Sequence, residues 1–282
     1  MSNIKATIII LDYMKGARVV ENVKSILKQA VDFGIKIIVI DNSCNAKNAA
    51  ILKSLADLSN VSVRISKENL GYIKAHNSVK DDIEGEYVII INPDIIWKEQ
   101  DAIKKMVDYM DNKKDIGVIG PKQINETDGK PAMTIRAFPK FYLQVARRTF
   151  IRKLPIISEK VSFDEMQHLD YEKIQDVDWL QSSCVVVRRK LWDKTGGLCE
   201  SYFLFMSDVE LCWQSWKNSM RVVYYPLSIV YADGKRASAG GFLSFFKSWV
   251  LRQHVVDSLK YRAKHFFDRD PRKEYYRKTK TK

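Results

Sequence analysis

Two carboxylates in this chain stand where they could do more than form turns. Asp94 closes the stretch Tyr87-Val88-Ile89-Ile90-Ile91-Asn92-Pro93-Asp94. Its unbroken apolar run reads as a strand buried on both faces, the pattern of a parallel sheet covered by helices. Pro93 stops the strand, and Asn92 and Asp94 are turn formers. Asp94 therefore belongs at the carboxyl end of a central strand, the edge where open α/β sheets bind ligands. Asp208 lies in Ser207-Asp208-Val209-Glu210 at a helix start, where an acid also complements the helix dipole. The preceding Tyr202-Phe203-Leu204-Phe205-Met206 is apolar rather than a polar turn. A carboxylate delivered to a site by such a segment is a candidate general base. Further strand ends carry Asp12, Asp41-Asn42 and Asn69. Each alone is turn chemistry; with Asn92 and Asp94 they line one edge of one sheet.

The elements that must hold these groups alternate. Strands are expected over Ala6–Leu11, Ile35–Ile40, Val61–Ile65 and Tyr87–Ile91, with helices over Val19–Gln29, Ala49–Leu58 and Gly71–Val79 between them. Such alternation with short connections implies right-handed crossovers and a mostly parallel sheet with helices on both faces. A helix over Ala102–Met110 and a short strand over Gly117–Ile119 come next. From about Pro121 to Asp176 the pattern breaks down around the basic cluster Arg147-Arg148…Arg152-Lys153, as a functional or mobile loop does. Order resumes with a strand over Val185–Val187, helices over Lys190–Thr195 and Asp208–Ser219, and a strand over Arg221–Tyr225. Leu11-Asp12-Tyr13-Met14-Lys15-Gly16 has neither dinucleotide nor P-loop spacing, which counts against a dehydrogenase and a P-loop enzyme.

The 282 residues are 46% hydrophobic, enough for a full core, and the net charge of +13 favours an anionic partner. Cys44, Cys184, Cys199 and Cys212 show no metal-ligand spacing and read as reduced thiols of a cytoplasmic protein. Met1–Leu11 reads as a first strand rather than a signal peptide, and no segment is long enough to span a bilayer. From about Gly241 the character changes. Phe242, Leu243, Phe245, Phe246, Trp249, Val250 and Leu251 precede a segment, Lys260–Lys282, with ten Lys/Arg against three Asp/Glu. Aromatic residues beside a basic run suit an interfacial membrane helix; a docked helix with a solvated tail is the plainer alternative. The expected division is a domain over 1–240, split into a nucleotide-binding half (1–120) and an acceptor-binding half (121–240), with an extension over 241–282.

In order, these motifs resemble family 2 of the nucleotide-sugar glycosyltransferases, whose fold is GT-A. Asp12-Tyr13-Met14 resembles the end of the family's opening strand, and Ile38-Val39-Ile40-Asp41-Asn42-Ser43 its nucleobase-binding strand end. Asn69-Leu70-Gly71-Tyr72…Asn77 is similar to its Asn-x-Gly-Phe…Asn segment, and Asn92-Pro93-Asp94 stands where its Asp-x-Asp metal motif stands. Asp178-Trp179…Cys184…Arg188-Arg189 resembles its acceptor segment, and Ser207-Asp208-Val209-Glu210-Leu211-Cys212 its catalytic-base segment. His254…Ser258…Tyr261…Lys264-His265 is similar to the tail of a subgroup that includes many rhamnosyltransferases.

The resemblance implies an inverting transferase that moves a hexose or 6-deoxyhexose, with rhamnose the first guess, from a UDP- or dTDP-linked donor. The acceptor would be a saccharide or lipid-linked saccharide. Asp208 would be the base, and Asp94 would hold a divalent cation, Mn2+ or Mg2+. Asp12, Tyr13, Asp41, Asn69, Gly71 and Asn92 would bind the donor. Trp179, Ser182, Ser183 and Glu210 would meet the acceptor. Three departures bear on this: Ser207 replaces an acid, Ser182 or Ser183 falls where Gly is expected, and no His comes after the last strand. Asp233 would replace that His as a ligand, or Lys235 and Arg236 would bind the diphosphate directly. The enzyme would sit peripherally at the inner face of the cell membrane, held by its tail, with no nucleic-acid partner. A non-catalytic scaffold with the same fold is the alternative, motivated by Ser207 and the missing His.

Overall fold

Strand β1 (Ile4–Asp12) divides its run Ile8-Ile9-Ile10 between two cores: Ile9 faces one, Ile8 and Ile10 the other, and all three are fully buried. β2 (Gly34–Asp41), β3 (Val61–Ile65) and β4 (Tyr87–Ile91) come next. In β4, Val88 and Ile90 join the first core, Ile89 and Ile91 the second. A strand with apolar layers on both faces has no polar side, which explains the unbroken run before Asp94.

The computed structural model describes residues 3–140, 143, 146, 151, 154–234 and 249–280. The later strands are β5 (Ile116–Asn125), β6 (Ile135–Arg136), β7 (Gln175–Asp176), β8 (Trp179–Leu180), β9 (Cys184–Arg188) and β10 (Arg221–Ala232). One sheet runs β3-β2-β1-β4-β9-β5-β10-β7, and β6 pairs with β8 beside it. β1 is parallel to β2 and β4, β2 to β3, and β5 to β10; β9 is antiparallel to both neighbours, β4 and β5. Reversing β9 puts the residues before it, Ser182 and Ser183, at the edge where β1, β2 and β4 end. It also threads a strand from the second half of the chain into the middle of the sheet, so both cores draw on both halves of the chain.

The helices are α1 (Gly16–Ile26), α2 (Ala46–Lys53), α3 (Gly71–Asn77), α4 (Ala102–Asn112), α5 (Pro155–Asp164), α6 (Arg189–Thr195), α7 (Ser207–Lys217), α8 (Trp249–Lys264) and α9 (Pro271–Lys280). α1, α2 and α4 cover the second core, whereas α3, α6 and α7 cover the first. The expected α/β sheet with helices on both faces is the observed one. α2 begins earlier than its apolar spacing suggests, because the Asn45 side chain caps it by accepting the N–H groups of Lys47 and Asn48 at 3.0 and 3.1 Å.

The expectation fails most at β5 and β10. Both continue past a proline, Pro121 and Pro226, where apolar patterning alone would end them. Pairing between them shifts register between Tyr225 and Ile229 and then resumes to Ala232↔Asn125. A bulge absorbs the proline's missing N–H. The described residues of 121–176 hold the end of β5, β6, α5 and β7, where no regular elements were expected. The basic residues Arg147, Arg148, Arg152 and Lys153 lie outside the described residues.

The described part of the C-terminal extension is docked rather than a solvated tail. Tyr261 on α8 belongs to the first core. On α9, the Tyr275 ring packs edge-on against Trp216 at 5.3 Å, and Arg272 pairs with Asp178 at 2.7 Å. Residues 242, 243, 245 and 246 lie outside the described residues. No helix among the described residues is long and apolar enough to cross a membrane.

Candidate functional site

The continuation of β10 creates the first part of the site. Ile96 and Tyr231 form an antiparallel bridge, exchanging backbone hydrogen bonds of 2.8 and 2.9 Å. Two residues before Ile96 is Asp94, and two after Tyr231 is Asp233, so antiparallel register sets the two acids opposite each other. Their carboxylates interact. Burial raises the Asp94 pKa above the usual carboxylate value; nearby Lys15 opposes the rise and Asp233 adds to it. The Lys15 ammonium stands between them, 3.6 Å from Asp94 Oδ1 and 3.5 Å from Asp233 Oδ2. Lys15 is anchored by its own backbone N–H, which donates to Asp12 Oδ1 at 2.8 Å. Among the described residues no cluster of three or more His, Cys, Asp or Glu side chains has metal-holding geometry.

Asp12 and Asp41, the last residues of β1 and β2, are register partners and fully buried. The Asn48 amide joins them, donating to Asp12 Oδ2 at 2.5 Å and Asp41 Oδ1 at 3.1 Å. Burial raises the Asp12 pKa, with the Asp41 charge adding to it, while Asn48 and the Lys15 N–H oppose the rise. Asp41 Oδ1 also accepts from the Ser43 hydroxyl and N–H, whereas Oδ2 is buried with no partner among the described residues. Tyr13 beside Asp12 is 58% exposed, so its ring is free to stack on a flat ligand. Asn42 and Asn69 lock the next turn: the Asn42 amide donates to Asn69 Oδ1 at 2.8 Å and the Gly71 carbonyl at 3.2 Å.

Gly71 opens α3 at φ +72°, and a β-carbon there would meet the Phe203 ring at 2.8 Å. Gly71→Ala should therefore displace Phe203 and, with a left-handed backbone costing about 1–2 kcal/mol, lower the melting temperature. A variant that melts at the wild-type temperature would show that the contact is slack.

Asp208 stands in the first turn of α7, after Met206, whose φ of +67° sharply turns the chain. Burial pushes its pKa up to about 6, against the N–H groups of Val209 and Ser182, which hydrogen-bond the carboxylate. Tyr72 lies close enough for its hydroxyl to feel that charge, and donates to or accepts from the Ser182 hydroxyl at 3.0 Å. The Ser183 carbonyl accepts the Asn92 N–H at 2.8 Å, and Ser183 Oγ donates to Gln123 at 2.7 Å. The strand entry Ser182-Ser183 thus links Asp208 to the turn that carries Asp94.

Glu210 is placed differently from the expectation. It is buried and occupied by four partners: His265 Nε2 at 2.7 Å, Gln214 at 2.8 Å, Lys264 at 2.9 Å and the Tyr202 hydroxyl at 3.0 Å. Burial alone would raise its pKa; the His265, Gln214 and Lys264 bonds outweigh it and hold the group at about 2. Glu210 ties α8 to α7 and has no oxygen left for an acceptor. Trp179 is half-buried and spends its ring N–H on the Ala137 carbonyl at 2.8 Å. Lys235 and Arg236 lie outside the described residues.

Sequence reasoning passes over Lys15, Asn48, Tyr72 and Asp257. Tyr72 is in view beside Gly71; Lys15 and Asn48 give no signal beyond closeness to Asp12 and to a helix start. Asp257, on α8, is fully buried and accepts the N–H groups of Phe203, Leu204 and Phe205, the last at 2.9 Å. One carboxylate thereby fixes the loop that leads to Asp208. Asp257→Ala would strand these donors, and about 2–3 kcal/mol of stability should be lost. Thermal denaturation checks it; an unchanged midpoint would mean water replaces the carboxylate without cost.

Comparison with known proteins matches the sequence and the fold to glycosyltransferases. Residues 7–190 match the family described as Glycosyl transferase family 2. Rhamnosyltransferase WbbL of Escherichia coli (strain K12) is 25% identical over 262 residues, 90% of this chain and 89% of that protein. An N-acetylglucosaminyl-diphospho-decaprenol L-rhamnosyltransferase of Mycobacterium tuberculosis is 28% identical over 141 residues, 50% of this chain and 45% of that one. Among solved structures, the mannosyltransferase PcManGT of Pyrobaculum calidifontis, in complex with GDP-Man and Mn2+, aligns with a TM-score of 0.56 at 14% identity. That alignment covers 83% of this chain and 58% of the other. S. aureus TarS 1-349 in complex with UDP-GlcNAc aligns with a TM-score of 0.56 at 18% identity, covering 84% of this chain and 62% of that one. These structures share the GT-A architecture. The chain spans less than two thirds of the mycobacterial relative and of both solved structures.

Proposed function

The chain belongs to Glycosyl transferase family 2, and from that premise we propose an inverting, metal-assisted rhamnosyltransferase whose base is Asp208. The nucleotide-sugar glycosyltransferase activity comes with the family. The sugar, the stereochemistry and the roles of individual residues are our reading. The observation that carries it is Asp208 itself: a carboxylate with its pKa lifted to about 6, at the ligand-binding edge of the sheet, beside the turn that bears Asp94. Such a group is ionised at neutral pH yet still basic enough to take a hydroxyl proton.

Asp208 takes the proton of an acceptor hydroxyl as its oxygen attacks the anomeric carbon from the face opposite the departing diphosphate. The new bond forms as the old one breaks, and the configuration inverts. Ser182 and Tyr72 border the base and orient the hydroxyl. The Tyr13 ring stacks on the donor's base, and Asp41 Oδ2, the acceptor without a partner, receives a base N–H. The donor set fits a divalent cation: Asp94 and Asp233 are hard oxygen ligands, donor phosphates and water complete a shell, and the pair already attracts the Lys15 ammonium. A bound Mg2+ or Mn2+ would neutralise charge on the leaving diphosphate.

Rhamnose as the sugar follows the names of both relatives, and a lipid-linked acceptor the name of the mycobacterial one; a dTDP- or UDP-linked donor and a place at the inner face of the cell membrane are our own extension of that reading. Residues 1–120 would handle the donor and 121–240 the acceptor. Purified protein with dTDP-rhamnose, UDP-sugars and GDP-sugars, with and without Mn2+, tests the reading. NMR of the product's anomeric centre reports its stereochemistry. Transfer with retention would remove Asp208 as the base. Donor binding with no turnover from any sugar would favour the scaffold alternative.

A further inference from the structure

α8 carries apolar side chains on both faces. Its inner face buries Leu251, Asp257, Ser258 and Tyr261. Its outer face shows Trp249 (51% exposed), Val256 (43%) and Leu259 (49%), and the turn after it adds Phe266 (63%) and Phe267 (92%). Their spacing, completed by exposed Arg252 and Ala263, has helical periodicity, so they form one stripe about 24 Å long on the helix. A folded chain rarely presents so many large apolar side chains on one face to water without a partner. The stripe begins at the site: the Trp249 ring packs edge-on against Phe203 at 5.5 Å, and Phe203 abuts Gly71.

We propose that this outer face of α8, ending in the Phe266–Phe267 turn, is a membrane-contact surface that seats in the headgroup layer of an anionic bilayer and brings the rim of the active site to a lipid-borne acceptor. The proposal rests on the proposed function for its acceptor but is carried by the stripe. Charge decides the occupant. Residues 249–280 hold ten lysines and arginines against four acids, a balance of +6, and Lys260 and Arg262 flank the stripe on the exposed side. A second copy of the same face would bring a like charge, whereas an anionic leaflet brings the opposite one. Aromatic rings inserted at headgroup level add a contribution that salt does not screen.

Full-length protein should co-sediment with phosphatidylglycerol vesicles and much less with phosphatidylcholine vesicles. The double variant Phe266→Ser/Phe267→Ser, and separately Leu259→Glu, should weaken binding about tenfold or more. Both changes are on exposed positions, so melting temperature and transfer to a water-soluble acceptor should stay at wild-type levels. Vesicle binding that is unchanged in these variants, or equal on neutral lipid, overturns the proposal. So does a lipid-free dimer that the double variant dissolves, because the stripe would then meet a second copy. Loss of soluble transfer in the wild type, with vesicle binding intact, would instead count against the rhamnosyltransferase reading and leave the surface standing.

Discussion

Asp208→Asn should abolish sugar transfer, with turnover down at least about 10²-fold and donor affinity nearly unchanged. The amide keeps the size of the side chain and removes only its ability to take a proton. In the wild type, kcat/KM should climb with pH through a midpoint near 6, where burial has placed the Asp208 pKa, and flatten above it. Residual turnover in the variant should lack that step. The same change should stabilise the protein. The folded-state pKa lies above the unfolded value near 3.8, so folding favours the protonated form. The ionised carboxylate therefore subtracts stability, beginning as pH rises past the unfolded value and reaching its full extent above about 6. Asparagine escapes that penalty, and a gain on the order of 1–2 kcal/mol is expected at pH 8, shrinking toward zero near pH 4. Wild-type turnover in the variant would end the assignment of Asp208 as base.

The second large effect belongs to the carboxylate pair. With Mn2+ present, Asp94→Ala should weaken donor binding about 100-fold, because outer-shell changes alone cost 10–100-fold in metal sites. With a chelator present, the two proteins should bind donor alike. Asp233→Asn should act in the same direction and more weakly, since it keeps an oxygen. Calorimetry on the three proteins with and without metal measures all six cases. If metal changes nothing in the wild type, Asp94 and Asp233 are simply the ion-pair partners of Lys15.

The sheet edge was legible because strand ends advertise themselves. A buried strand is a visible apolar run that must end in a turn, so Asp12, Asp41 and Asp94 could be placed without coordinates. Asp233 was reachable only as a substitute for a missing histidine. The bulge that lets β10 pass Pro226 leaves no mark in the sequence, and without it nothing brings residue 233 to residue 94. Glu210 misled for the opposite reason. Its position beside Asp208 looks functional, but alternate helix faces point to different surroundings, and its partners, His265 and Lys264, lie more than fifty residues away. Asp257 was illegible because a lone acid among apolar neighbours shows nothing of the three backbone donors it serves.

The reversed strand β9 has a consequence for how the chain is made. β4 ends at Ile91, but the strand that covers its free edge arrives only with Cys184–Arg188. At ribosomal rates of about 5–20 residues per second, roughly 5–20 s of synthesis separate the two. Throughout that interval the nascent chain carries an apolar, unpaired strand edge, the kind that recruits other chains. Ribosome-bound chains halted before Cys184 should therefore hold chaperones that chains halted well past Arg188 release; equal occupancy at both lengths would mean the edge is shielded some other way. The strand that aligns Ser182 and Ser183 with the site is thus also the piece whose late delivery sets when the newborn protein becomes safe from its neighbours.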